Sequence, residues 1–312
     1  MSLDRALELA GAASGVAYPN PTVGAVVVAN GSVVGEGVTE AYGGRHGEIV
    51  ALAAAGELAR GATLFVSMEP CSHHGRTPPC VDAIVSAGVT RVVAGCRDPN
   101  AEAAGGLERL REAGIAVELD DRLEARRQNE AWRTWKALAR PFVTYKVATT
   151  LDGRVTVPGA RWVTGEDSRR LVHELRAASD AVAVGMETAR VDAPRLDARD
   201  VPCVRQPRRL VFGRGPLPAG SELELRGGSV ADELGALAAD GVQSLLLEGG
   251  PTLATAFLEA DLVDKLLVFV APMLSGEGPR FVGDLSGPRR LIHVSTRPVG
   301  DDLLVEAYLR EP

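Results

Sequence analysis

GGRHGEIVALAAAG (residues 43–56) and MEPCSHHGRTPPC (residues 68–80) decide how the first half of the chain folds. In the first string a turn-rich Gly-Gly-Arg gives way to an aliphatic run, which predicts a helix from about His46 to Ala59 with His46 and Glu48 in its opening turn. The second string carries a β-rich run, Thr63 to Met68, into a Cys/Pro loop and then into a helix over Val81 to Ala87. Upstream, Leu3 to Ala13 has Leu3, Leu7 and Ala10 on one helical face, with Ser2 as N-cap. Val23 to Ala29 and Ser32 to Val38 are joined by Asn30-Gly31, the strongest short hairpin signal. Downstream, a strand at Arg91 to Gly95 and a helix near Gly106 to Ala113 continue the alternation, a three-layer α/β plan.

Residues 121–139 (DRLEARRQNEAWRTWKALA) read as one charged connecting helix. Arg140-Pro141 ends it, because the residue before a proline is pushed out of the α region. A second α/β pattern then starts, with strands at Phe142 to Thr149, Ala181 to Val184, Arg209 to Phe212, Ser244 to Leu247 and Lys265 to Val270. The expected organisation is two α/β domains, 1–140 and 141–312.

At 312 residues the chain exceeds one typical domain, and a hydrophobic content of 46% supports sizeable cores. The formal net charge is −7 with no basic block. Nucleic-acid backbones are bound through cationic surface, so a nucleic-acid partner is not expected. No apolar run approaches the ~18 residues of a membrane span and no secretory leader pattern opens the sequence, so a cytoplasmic location without membrane association is expected. In a reducing cytosol the four cysteines are thiols or ligands rather than disulfides. Cys96 and Cys203 have no ligand-like context and read as core thiols. Lys occurs only at Lys136, Lys146 and Lys265, Arg supplying the rest of the 34 basic residues. A small-molecule substrate and a homo-oligomeric state are the expected partners.

His46, Cys71 and Cys80 offer one imidazole and two thiolates, presented at a helix start, after a strand and at a second helix start. Three such ligands hold Zn2+ with the fourth tetrahedral position open to water, as catalytic rather than structural sites do. Zinc lowers the pKa of that water to about 7. Glu48, two residues from the histidine, is placed to move protons to the ring nitrogen and the leaving amine of a heterocycle. H-x-E followed by P-C-x(n)-C is the pattern of zinc-dependent nucleobase deaminases.

Cytidine and tRNA-adenosine deaminases usually carry a short P-C-x-x-C, whereas eight residues (SHHGRTPP) separate Cys71 from Cys80. That long loop, PNPTVGAVVV upstream and CRDPN downstream resemble the deaminase half of the bifunctional riboflavin-biosynthesis family, the diaminohydroxyphosphoribosylaminopyrimidine deaminase / 5-amino-6-(5-phosphoribosylamino)uracil reductases. The second half is similar too, through YKVATTLDGR, LLLEGGPTLATAFL and T-x-x-x-D-x-P-x-L-x-x-R from Thr188 to Arg199. The resemblance implies a cytidine-deaminase-like α/β/α domain followed by a dihydrofolate-reductase-like domain. It also implies that Asn20 contacts the pyrimidine and that His73 and Arg76 contact base or ribose-phosphate; His74 reads as structural. Two departures stand out: Thr39 replaces a frequent histidine seven positions before His46, and the usual H-A-E is H-G-E, with Gly47 costing up to about 1 kcal/mol of helix stability.

In the second half, Glu248-Gly249-Gly250-Pro251-Thr252 runs from an apolar strand into a helix. By itself this is either a plain βα turn or an anion cradle, and it is not the G-x-G-x-x-G of a Rossmann site. The resemblance implies the cradle: NADPH lies on Gly250, Pro251, Thr252, Leu253, Ala254, Thr255 and Ala256, with Ala148, Trp162, Thr188 and Asp192 also lining the cofactor. Arg176, Leu196, Arg199 and Glu248 then hold the substrate phosphate. Without the resemblance Trp162 reads as a core aromatic, Arg176 as a helix-face charge and Asp152 as a turn former. Here too there are departures: Ala193 replaces an aspartate, and Gly213-Arg214 follows Phe212 where an Asp-Ser is frequent, with Arg214 a candidate for the 2′-phosphate of NADPH. The function implied is zinc-dependent hydrolytic deamination of a diamino-ribosylaminopyrimidinone 5′-phosphate, then reduction of the ribosyl to a ribityl chain. Two other readings stay open: a tRNA or nucleoside deaminase, and a deaminase with a degenerate second domain.

Overall fold

The computed structural model describes residues 2–75 and 78–312. The chain divides into two compact units, Met1–Leu138 together with Pro312, and Ala139–Glu311.

The first unit is a five-stranded sheet in the order β2-β1-β3-β4-β5. Its elements are α1 (Ser2–Ala12), β1 (Gly24–Ala29), β2 (Ser32–Val38), α2 (Gly47–Ala55, continued by a 3-10 turn Gly56–Ala59), β3 (Thr63–Val66), α3 (Cys80–Ser86), β4 (Arg91–Ala94), α4 (Gly106–Glu112), β5 (Ala116–Leu119), α5 (Leu123–Gln128) and α6 (Glu130–Leu138). The β1–β2 hairpin turns at Asn30 and Gly31, both at positive φ (50° and 79°), which matches the twist of the strands it joins. β1 runs antiparallel to β3, while β3, β4 and β5 are parallel. Alternate residues of β1 face opposite layers. Ala25 and Val27 pack with Ala51, Leu52 and Ile84, and Val26 packs with Leu3 and Ala6 of α1. This is the three-layer plan that the alternating pattern predicts.

Three sequence expectations change here. Ser2 is the first residue of α1 rather than a cap outside it. β5 is a strand that the sequence reading did not single out. The single connecting helix is two, broken at Asn129, whose amide accepts from the Thr22 N–H and donates to the Thr22 carbonyl, each at 3.0 Å. A side chain that pairs with distant backbone fixes its own residue outside the helical conformation.

The second unit is an eight-stranded sheet in the order β12-β13-β11-β6-β10-β7-β8-β9. Its elements are β6 (Phe142–Thr150), α7 (Glu166–Ala177), β7 (Ala181–Gly185), α8 (Met186–Asp192), β8 (Arg208–Phe212), β9 (Glu224–Arg226), α9 (Val230–Ala239), β10 (Ser244–Leu247), α10 (Pro251–Glu259), β11 (Lys265–Ala271), β12 (Ile292–Val299) and β13 (Asp302–Tyr308). From β11 to β9 every pairing is parallel, and the β12–β13 hairpin closes one side antiparallel. Leu234 and Leu237 of α9 and Phe257 of α10 cover one face with Tyr145 and Leu247. Val172 of α7 and Met186 and Ala189 of α8 lie on the other. In such sheets the carboxyl ends of the parallel strands are where ligands bind. Here those ends bring together Lys146 to Thr150, Gly185 to Thr188 and Glu248 to Pro251. Among the described residues no helix is long and apolar enough to cross a membrane.

Candidate active sites

In the first unit His46 is the N-cap of α2, and Glu48 lies in that helix's first turn, only 3% exposed. Cys71 follows β3 by one loop, and Cys80 is the first residue of α3. His46 Nδ1 lies 3.6 Å from Cys71 Sγ and 3.2 Å from Cys80 Sγ, and all three candidate ligand atoms fall within 4.8 Å of one another. The imidazole therefore presents Nδ1, not Nε2, to the thiols. Cys71 Sγ accepts hydrogen bonds from the Cys80 thiol and, at 3.4 Å, from the Cys80 N–H, which hold it well below the usual thiol range. Cys80 is the hydrogen-bond donor of the pair and is pushed up.

Burial pushes Glu48 up to about 7, the negative charge at Cys71 adding to the effect. Its Oε2 is buried without a hydrogen-bond partner. A buried carboxylate oxygen left bare is costly, and it is found here beside three soft and borderline ligands. The donor set and the orphaned oxygen both fit a zinc ion with a water next to Glu48. All four residues but Cys80 line one cavity of about 300 Å³.

Of the residues implied by resemblance, Asn20 and His73 line this cavity. His73 Nδ1 is buried without a partner, and His74 beside it is exposed. Arg76 lies outside the described residues. Thr39 also lines the cavity, but its hydroxyl is committed to the backbone, accepting from Val23 N–H (3.0 Å) and donating to Val23 carbonyl (3.2 Å). Glu69 was not singled out from the sequence. Its buried carboxylate accepts from the N–H groups of Asp98 (3.1 Å), Gly105 (3.2 Å) and Leu107 (3.1 Å). It ties the loop after β4 and the start of α4 to the strand end that carries Cys71. The only sequence signal is a charged residue wedged between an apolar strand and Pro70-Cys71. Cys96 is a core thiol as expected; Cys203 is only half-buried, on a loop where its thiol donates to the Arg205 carbonyl at 3.2 Å.

In the second unit Glu248 caps the end of β10, its own N–H donating to Ala183 carbonyl at 2.8 Å. Arg176 of α7 grips it bidentately, Nε to Oε1 at 2.6 Å and Nη2 to Oε2 at 3.0 Å. Lys146 Nζ of β6 sits 3.5 Å from Oε2. Burial raises the Glu248 carboxyl, but Lys146 and Arg176 more than offset this and it ends below its usual range. Arg176 also donates to the Asp197 carbonyl (3.2 Å), and Arg199 pairs with the Asp197 carboxylate (2.6 Å). Leu196 between them is buried at φ 55°. The structure thus brings together the Arg176, Leu196, Arg199 and Glu248 that the resemblance implies, and Lys146 is a member that neither the sequence nor the resemblance pointed to.

Gly250 is the N-cap of α10 with no side-chain cap, and Pro251 occupies the first turn, so the helix starts with uncapped N–H groups. A Cβ on Gly250 would stand 3.6 Å from Thr188 Oγ1, and one on Gly249 would press on Leu253 at 3.0 Å. An open groove of about 560 Å³ runs past Pro251, Thr252 and Thr255 to Arg280 and Gly283. An uncapped helix start beside an arginine in an open groove fits the pyrophosphate of NADPH. Leu253, Ala254 and Ala256 continue the helix, with Ala254 packed into the core. Ala148 lies on β6 opposite Phe269, and Asp192 ends α8, followed by Ala193 at φ 40°. Trp162 is 53% exposed, not a core residue, with Arg161 and Arg169 at 5.0 and 5.4 Å from its ring centroid. Asp152 is the expected turn former, accepting from Thr150 Oγ1 and from the N–H groups of Ser275 and Gly276, which hold it down at about 2.

The first half matches the family described as the cytidine and deoxycytidylate deaminase zinc-binding region over residues 2–96. The second matches the RibD C-terminal domain over residues 141–305. The chain is 41% identical to the riboflavin biosynthesis protein RibD of Aquifex aeolicus, covering 90% of this chain and 88% of that one. It is 39% identical to the RibD of Mycobacterium tuberculosis over 99% and 98%. The solved diaminohydroxyphosphoribosylaminopyrimidine deaminase / 5-amino-6-(5-phosphoribosylamino)uracil reductase of Thermotoga maritima is similar with a TM-score of 0.83 at 33% identity, over 98% of this chain and 97% of that one. Acinetobacter baumannii RibD gives 0.84 at 32%, with the same coverage. The chain belongs to the RibD family of bifunctional riboflavin-biosynthesis enzymes and carries both its zinc-binding deaminase half and its NADPH-dependent reductase half.

Proposed function

We propose that the first unit exchanges the ring amine of 2,5-diamino-6-ribosylamino-4(3H)-pyrimidinone 5′-phosphate for oxygen, releasing ammonia, and that the second reduces the ribosyl to the ribityl chain. The observation that carries the reading is the buried, partnerless Oε2 of Glu48 beside the His46–Cys71–Cys80 cluster in a cavity that admits a small heterocycle. Bound zinc supplies a water of lowered pKa to this cavity. Glu48 holds and moves the protons, first to the ring nitrogen and then to the departing amine. Asn20 and His73 orient the ring and ribose, and Arg76 the ribose-phosphate.

In the second unit bound NADPH would supply a hydride for C1′ of the opened ribose, with solvent the source of the accompanying proton. Gly250 to Ala256 cradle its pyrophosphate, while Ala148, Trp162, Thr188 and Asp192 line the remainder. Glu248 is the counter-charge that aims Arg176 and Lys146, and with Leu196 and Arg199 they hold the substrate phosphate. A guanidinium aimed by a carboxylate is pre-ordered for a planar anion. No side chain there is an evident general acid, so positioning is the main contribution.

The two domains of this reading are residues 1–140 and 141–312. The substrate is a free small molecule rather than a nucleic acid, which the acidic lining of the cavity and the net charge of −7 support. A cytoplasmic location and a homo-oligomeric state complete the proposal. The outer strand β12, with Val294 more than half exposed, supports the second of these, and sedimentation of the purified protein decides it.

Purified protein given zinc, the diamino substrate and NADPH should release ammonia and then oxidise NADPH. Glu48→Gln should stop ammonia release while zinc stays bound. Ammonia without NADPH oxidation would leave only the deaminase, and an active Glu48→Gln enzyme would refute the assignment of the proton carrier.

A further inference from the structure

The geometry points to Lys136, in the last turn of α6, as a phosphate anchor of the deaminase cavity in addition to the Arg76 of the reading above. This deepens the deaminase reading above and rests on it. Lys136 lines the same cavity as His46, Glu48 and Cys71. Trp132, one helical turn earlier and on the same face, also lines that cavity and is buried in the core of the unit, so the position of Lys136 is fixed by packing rather than by a free loop.

The charges of the lining are lopsided. Glu48, Glu69, Asp98 and Glu102 contribute four carboxyl groups, and among the described residues that line the cavity there is no other lysine or arginine. A substrate carrying a phosphate dianion is repelled by that wall unless a cation receives it. Among the described residues, two bases flanking the site in sequence are occupied. Arg45 pairs with Glu40 at 2.6 Å, and Arg133 donates to the Arg97 carbonyl at 2.5 Å. Thr39 offers no spare hydroxyl proton, since Val23 takes it.

Lys136 is free by comparison. It is exposed, it makes no ion pair among the described residues, and its ammonium rests 4.5 Å above the Trp135 ring. An ammonium on a flexible stem receives a phosphate as a point charge, without the fixed approach that a guanidinium demands. The chain uses arginine almost throughout, yet keeps a lysine at this place.

Lys136→Gln and Lys136→Arg, each in the full zinc-loaded chain, test this. The readout is the ratio of deaminase kcat/KM for the ribosyl 5′-phosphate substrate to that for its dephosphorylated form. Lys136→Gln should lower that ratio roughly tenfold or more, the scale of one charge-assisted contact, and Lys136→Arg should restore most of it. Inorganic phosphate should compete with substrate in the parent enzyme and at least several-fold more weakly in Lys136→Gln. An unchanged ratio with unchanged phosphate inhibition would overturn the assignment while leaving the deaminase reading intact. A parent enzyme that releases no ammonia from the phosphorylated substrate would sink the deaminase reading, and this one with it.

Discussion

Gly47→Ala should damage the deaminase, although alanine is the better helix former and the family usually has H-A-E there. Helix propensity alone favours the substitution by about 1 kcal/mol. The structure opposes it, because a Cβ on Gly47 would stand 2.3 Å from the Val23 carbonyl oxygen and 3.3 Å from Thr39 N. Real Cβ contacts essentially never fall under 3.0 Å, so Val23 or the start of α2 must give by about 0.7 Å. Val23 cannot give freely. Its carbonyl accepts from Thr39 N–H (2.9 Å) and Thr39 Oγ1, and its own N–H donates to that hydroxyl. The strain of forcing a methyl into such a site is about 1–3 kcal/mol, enough to cancel the propensity gain. What moves is the segment between a zinc ligand and the proton carrier, where an error of about 1 Å can cost some 100-fold. We expect Gly47→Ala to bind zinc, to be no more stable than the parent in urea unfolding, and to lose tenfold or more in kcat for ammonia release. In a Thr39→Ala background the two hydroxyl bonds to Val23 are lost while the Thr39 N–H bond to its carbonyl remains, so the tether is looser and the penalty should shrink; the coupling should lie in the 0.5–3 kcal/mol range of contacting residues. A Gly47→Ala enzyme with raised stability and full kcat would refute the reasoning. The two departures at 39 and 47 would then be unrelated.

The remaining predictions concern stability, pH and cofactor choice. Asp264→Ala should cost about 3–5 kcal/mol in the reductase unit, because it strips a buried guanidinium of its partner. The Asp264 carboxylate accepts from Arg140 at 2.6 and 2.7 Å and from Val143 N–H at 2.8 Å, with Arg310 Nε at 3.0 Å; a shift of under 1 kcal/mol in urea unfolding would count against this. Burial pushes Asp98 up from 3.8 to about 6. The folded chain then holds that proton more tightly than the unfolded one, so the group's contribution is greatest below about pH 4 and falls away as pH rises through 6, by at most about 3 kcal/mol. Asp98→Asn should flatten that fall in the difference between variant and parent, and identical slopes would contradict it. Arg214, exposed beside the end of β8, should serve the 2′-phosphate of NADPH: Arg214→Ala should raise KM for NADPH but not for NADH, and equal effects would sink the idea.

What could be read from the sequence was written in short-range chemistry. Asn30-Gly31 fixes a hairpin because two adjacent residues must take positive φ. His46 and Glu48 share a helix turn whatever the rest of the chain does. Gly249-Gly250-Pro251 follows an apolar strand and can only be a βα turn. β5 and β9 are short, and β12 shows five consecutive exposed positions, so none offers the apolar alternation that marks a strand. They exist because a neighbour supplies the other half of each ladder. Asn129 breaks a helix for the same non-local reason, since its partner, Thr22, lies 107 residues away.

The candidate sites divide along the same line. Ligands are legible because zinc demands particular atoms, and a motif preserves their order. The residues that aim or charge a site carry no such mark. Glu69 looks like any surface carboxylate until Asp98, Gly105 and Leu107 are seen to donate to it. Lys146 is one lysine in an alternating strand until Glu248 is placed 3.5 Å away across two parallel strands. Gly47 is the sharpest case. From the sequence it is a weak helix residue with a small cost, yet the absent methyl is what lets the Val23 carbonyl reach Thr39. A residue's chemistry can be read from its name, but the value of an atom it lacks can be read only from what occupies the space.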